Sequence, residues 1–124
     1  MANKLRVSKK TQEIFSKVGT SNGLPPYALS KLAIALSIRK GSLSEQDYGT
    51  DNEGQELNRQ TIFGDHDLIF KCLIMMNAGQ SLTEDEYFPK TVKAHLDRGA
   101  VLLDQEYRYS NDLLSHLTKL HSSI

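Results

Sequence analysis

Pro26 to Lys40 constrains the fold more than any other segment, because it reads as a helix with almost no polar side. Leu29, Leu32, Ala33 and Leu36 recur at helical spacing as a core stripe, and Ala28, Ile34, Ala35 and Ile38 take up much of the remaining circumference. Only Ser30, Lys31 and Ser37 make a polar strip. A helix apolar nearly all round must be covered nearly all round. In a chain of 124 residues this points to a subunit interface more than to a deep private core. A homo-oligomer is therefore expected, with Leu29, Leu32, Ile34 and Ile38 at its contacts. Pro25-Pro26 opens the helix where proline is tolerated, and Gly41 closes it.

The other elements arrange themselves around this helix. Lys4-Leu5-Arg6-Val7-Ser8 alternates polar and apolar, so a short strand or extended arm puts Lys4 and Arg6 on one face. Ser8 is a suitable N-cap for a helix whose stripe is Thr11, Ile14, Phe15 and Val18, ending near Gly19 before the turn Thr20 to Gly23. Residues 41–64 form a polar, glycine-bearing excursion long enough to carry short pairing segments. A third helix starts at Asp65–Asp67, ends before Gly79, and reads as the central core helix, with Cys72 as a small core residue. Thr83 to Glu86 is a capping box, after which Pro89 either kinks the chain or starts a fresh helix to Gly99. Ala100 to Tyr109 is compatible with strand, and Leu113, Leu114, Leu117 and Leu120 mark a last amphipathic helix. The expected fold is one domain over residues 1–124, mainly α. It is a compact helical bundle with a short N-terminal extended segment and a ribbon–helix–helix-like helical hairpin.

Charge is partitioned steeply along this neutral chain. Residues 1–40 carry eight cations against Glu13 alone, and residues 41–124 carry seven cations against fourteen acids. A basic third of this kind is suited to a polyanion, with the acidic remainder limiting where it lies. Lys4 and Arg6 on the arm, with Lys9, Lys10 and Lys17 around the first helix, are the candidate DNA contacts. The longest apolar runs, residues 32–36 and 72–76, fall far short of the roughly 20 residues a membrane helix needs. A lone cysteine fits a reducing compartment, so a soluble cytoplasmic protein is expected.

Catalytic chemistry finds little support. Asp65-His66-Asp67 resembles a metal site, but alternate residues of a helix diverge, and acids in a first turn suit the helix dipole anyway. His95 with Asp97 has the same divergence, and His116 and His121 are five apart. Tyr107 and Tyr109 alternate with charges and could stack on bases, although tyrosine on a half-buried strand is commoner. No zinc-type cysteine pair, phosphate loop or nucleophile elbow is present, so neither an enzyme nor a cofactor or metal is expected. Strand, helix, glycine turn and helix within 40 residues match the order of a ribbon–helix–helix regulator, in which a dimer's ribbon reads the major groove. An adaptor whose acidic part docks a basic partner protein is a further reading.

Three segments carry a family resemblance. Gly23-Leu24-Pro25-Pro26-Tyr27-Ala28-Leu29-Ser30-Lys31-Leu32-Ala33-Ile34-Ala35-Leu36-Ser37 resembles the GL-P-N/Y-L-R-A-L-S segment of the DndE family, the small helical member of the bacterial DNA phosphorothioation machinery. Glu56 to Gly64 followed by Asp67 resembles the family's E-NR-TL-G stretch, and His95-Leu96-Asp97-Arg98-Gly99 its H--RG segment. The resemblance runs in order over roughly residues 5–105. It implies a non-catalytic homotetramer that binds duplex DNA with a preference for nicks. Its implied partners are a cysteine desulfurase, an adenylating iron–sulfur sulfurtransferase and an ATPase. It also implies that Gly23 is the inter-helix glycine important for assembly and that lysines of the N-terminal helical region touch DNA. Pro25-Pro26 stands where members often have one proline.

Overall fold

The structure, a computed structural model, describes residues 2–109. Strand β1 (Lys4–Arg6) leads into α1 (Lys9–Asn22) and α2 (Pro26–Lys40). After a 3-10 turn at Glu45–Tyr48 come β2 (Glu56–Asn58), α3 (Arg59–Phe63), α4 (Asp67–Ala78) and α5 (Val92–Arg108). The fold is mainly α, with strand, helix and helix in the expected order. The expected terminal helix, with His116 and His121, lies outside the described residues.

The molecule is organised on the crossing of α2 and α5. Leu29, Ala33 and Ile34 of α2 and Leu96, Ala100 and Leu103 of α5 are buried there. A Cβ on Gly99 would land on the Ala33 carbonyl, so only glycine lets the two helices approach this closely. Ser30 and Ser37, expected on a polar strip, are instead buried. Small side chains are what a close crossing needs, and the Ser37 hydroxyl bonds the His95 Nδ1 at 2.7 Å and accepts from Arg98 Nε at 2.8 Å. Helix α5 runs unbroken through Ala100 to Arg108, where a strand was one expectation. Leu96, Ala100 and Leu103 continue one buried stripe at helical spacing, which outweighs the β-prone Tyr107 and Val101.

The excursion supplies the strand partner. β1 pairs with β2 antiparallel, Leu5 opposite Leu57, both buried. In a ribbon–helix–helix dimer that pairing comes from a second chain. Here it comes from within the chain.

Two expectations fail at α4. It has the expected bounds but is not the central core helix: of its residues only Ile74 is buried. Cys72 is exposed, not a core residue. Leu68, Ile69, Leu73 and Met76 are 73%, 58%, 41% and 77% exposed. The physical reason is position: α4 lies at the edge, anchored through Phe70, Ile74 and Asn77, whose amide donates to the Ile38 and Gly41 carbonyls.

Candidate nucleic-acid interface

Helix α1 is presented by a buried acid. Asp97 of α5 accepts from the Ser8 amide at 3.0 Å and the Thr11 hydroxyl at 2.6 Å, and its second oxygen accepts from Thr50 at 2.5 Å and Lys93 at 2.6 Å. The Ser8 hydroxyl caps the Thr11 amide at 3.1 Å, as expected. Asp51 takes the Lys9 amide at 2.9 Å, and that bond, after the one from Glu53, holds its carboxyl below the usual range. The first-turn amides of α1 are therefore largely spent inside the protein. A polyanion at this end meets side chains, not the open helix terminus.

The five candidate cations are all exposed but differ in availability. Lys9 and Lys10 have no ion pair among the described residues. Lys4 and Arg6 share one acid, Glu56, at 3.9 and 4.0 Å across the β ladder, and Arg6 also donates to the Gly54 carbonyl at 3.0 Å. Exposed pairs at such distances are worth little and screen readily. Lys17 is different: it lies 2.5 Å from the nearly buried Asp104, which also meets Arg108 at 3.1 Å. Burial opposes the charge of Asp104, but Lys17 and Arg108 more than offset this and hold its carboxyl below the usual range. Arg39 and Lys40, exposed at the end of α2, also lack an ion pair among the described residues.

The expected assembly residues divide. Leu29 and Ile34 are buried in the chain's own core, which α5 and α3 complete, so they cannot also face a neighbour. Leu32 and Ile38 stay half-buried, and Tyr27 is exposed. Gly23 adopts the left-handed cap of α1 at φ 66°, where an added Cβ would meet nothing within the chain. The close approach of α1 to α2 falls one turn earlier, at Gly19.

Sequence reasoning missed two charged clusters. Arg98 donates to the carbonyls of Ser37, Gly41 at 2.6 Å and Ser42 at 3.0 Å, closing the C-terminus of α2 with one guanidinium. Arg59 meets Asp67 at 2.5 Å and also Glu84, which Lys71 reaches at 2.8 Å. The Arg59 guanidinium lies over Tyr87 and Phe88, and the Tyr87 hydroxyl donates to Asp67 at 3.0 Å. Its bond to Asp67 pushes the Arg59 pKa further up, and Lys71, then Arg59, pull Glu84 down. Desolvation, then Asp67, raises the Tyr87 hydroxyl. Asp67 is thus committed to structural bonds, while Asp65 and His66 are exposed. His95 is buried, and burial followed by the Arg98 charge brings its pKa down from 6.5 to about 4.

These clusters explain the motif-like segments. His95, Arg98 and Gly99 all face α2, and Arg59 and Asp67 belong to one buried-edge lock. The signal that could have found the second was a charged residue inside an otherwise apolar helix, as at Lys71.

The whole-chain comparisons agree with this geometry. The family DndE, described as DNA sulphur modification protein DndE, matches residues 4–111. A crystal structure of DndE from Escherichia coli B7A involved in DNA phosphorothioation modification superposes with a TM-score of 0.66. At 21% identity, that match covers 83% of this chain and 97% of that one. A glycine-to-lysine DndE mutant involved in DNA phosphorothioation gives a TM-score of 0.63 at 20% identity, covering 85% and 99%. No curated protein matches significantly. Matched over most of its length, the chain belongs to the DndE family, which is involved in DNA phosphorothioation.

Proposed function

We propose that the protein is a non-catalytic, cytoplasmic DNA-binding subunit of the phosphorothioation machinery. In this reading it works as a homo-oligomer, a tetramer, and holds duplex DNA by its phosphates with a preference for nicks. The observation that carries the reading is the end of α1, where Lys9 and Lys10 stand exposed without an ion pair among the described residues, beside Lys4 and Arg6. Such contacts position a duplex without reading its bases. A nicked backbone bends at lower cost than an intact one, so a charged surface that bends DNA prefers it at any sequence. The lack of turnover is supported by the commitment of Asp67, Asp97 and His95 to bonds inside the fold. The cysteine desulfurase, sulfurtransferase and ATPase are its working partners, doing the sulfur chemistry on the strand it holds.

The test is equilibrium binding to intact, nicked and gapped duplexes of identical sequence. Nicked DNA should bind several-fold tighter than intact DNA, and unrelated sequences should compete equally. Equal affinity for all three forms would remove the nick preference, and no affinity even at low salt would remove the DNA reading.

A further inference from the structure

Helix α4 carries an apolar face that nothing among the described residues covers. At about 100° per residue, Leu68, Ile69, Cys72, Leu73 and Met76 fall in one arc about 140° wide. That arc holds no charge and no strong hydrogen-bonding group. The opposite side is already used, by Phe70 and Ile74 toward the core, Lys71 on Glu84 and Asn77 on the end of α2. From their exposed fractions, the four large side chains leave about 450 Å² of apolar surface, inside the roughly 300–600 Å² range where a patch on a monomer is often functional. A stable interface buries about 800 Å² per partner and is a little over half apolar, so this stripe is the right size for its apolar centre.

We infer that α4 pairs with α4 of a second copy of this chain across a twofold axis at Cys72. Cys72 lies midway along the length of the stripe: four positions before it is Leu68, four after it Met76. An antiparallel pair sets Leu68 against Met76 of the partner subunit and Cys72 against its own copy. A foreign partner would be selected by charges or polar groups, and this face offers none. The inference rests on the self-assembly proposed above. A tetramer built from twofolds needs two different self-complementary faces, and α4 supplies one apart from the Gly23 turn and the half-buried side of α2. Facing helices 8–10 Å apart place Cα atoms on the axis within the span of a disulfide.

Cys72 is the chain's only cysteine, so oxidation reads this contact directly. Copper–phenanthroline removes two electrons and releases two protons as each S–S bond forms. Wild-type protein at micromolar concentration should convert mostly to a covalent dimer, in a yield that does not change on tenfold dilution. Ile69→Glu or Met76→Glu, both at exposed positions, should abolish the cross-link and halve the mass by light scattering, with the helical spectrum unchanged. An absent cross-link overturns the inference: a thiol that also resists a soluble thiol reagent would point to another cover, such as residues 110–124, and a reactive thiol to an open face. An unchanged mass in both variants overturns it as well. Nicked-duplex binding by the same variants separates the two readings, since DNA affinity with an intact tetramer removes only the α4 contact, whereas a monomeric wild type removes the assembly itself.

Discussion

Arg98 shows how one side chain can decide whether two helices stay together. It satisfies carbonyls that the end of α2 would otherwise leave bare, and it does so from α5, across the crossing that Gly99 makes possible. Arg98→Ala should cost about 1–3 kcal/mol, because the buried Ser37 hydroxyl and carbonyl and the half-buried Gly41 carbonyl lose a charged donor. Arg98→Lys should recover little of this, since an ammonium cannot fork to several carbonyls; urea unfolding of both variants checks the difference. His95 gives the pH dependence. Its folded pKa of about 4 lies below the ordinary 6.5, so the unfolded chain binds more protons between these values. Stability contributed by neutral His95 is full above pH 6.5 and is lost as pH falls toward 4, at up to about 1.4 kcal/mol per pH unit. The lowered carboxyls of Asp104 and Glu84 lose their own contributions at lower pH still. His95→Gln should flatten the stability–pH curve between 6.5 and 4, measured by denaturant midpoints.

At the scale of elements, the apolar helix rule was right in form and misapplied in place. α2 read as apolar nearly all round and α4 as the central core helix, and periodicity alone cannot say which is enclosed. The deciding feature was small residues: Ala33, Ser30 and Ser37 let α5 close over α2, whereas Leu68, Leu73 and Met76 are too large for such an approach and stay outside. Helix starts were legible because caps are local, as at Ser8 and Thr83. The α5 continuation was not, since its stripe is fixed by partners far away in sequence. The candidate lysines were legible as a basic third, but not their availability, because Asp104 lies 87 residues from Lys17. Gly23 provides an element-scale test. Gly23→Ala should cost about 1 kcal/mol through its left-handed cap alone, and Gly23→Asn less, because asparagine tolerates that conformation. If the turn also forms a subunit contact, Gly23→Asn should lower the assembly mass at near-wild-type melting temperature, seen by light scattering and calorimetry together.

For the whole molecule, neutrality conceals a division of labour. The acids at 97, 104, 67 and 84 lock helices together and are matched by cations inside the fold. Among the described residues, Lys9 and Lys10 at the start of α1 and Arg39 and Lys40 at the end of α2 are exposed cations without an ion pair. Those four are what a phosphate backbone would meet. The most direct test is the salt dependence of nicked-duplex binding for wild type and for Lys9→Ala/Lys10→Ala, with Lys17→Ala as the internally paired comparison. A lysine on a phosphate contributes about one unit to the slope of log affinity against log salt. The double variant should bind more weakly on every sequence, with a slope shallower by about two, while Lys17→Ala changes it by less than one. An unchanged affinity and slope in the double variant, with fold and mass intact, would contradict phosphate binding by this face.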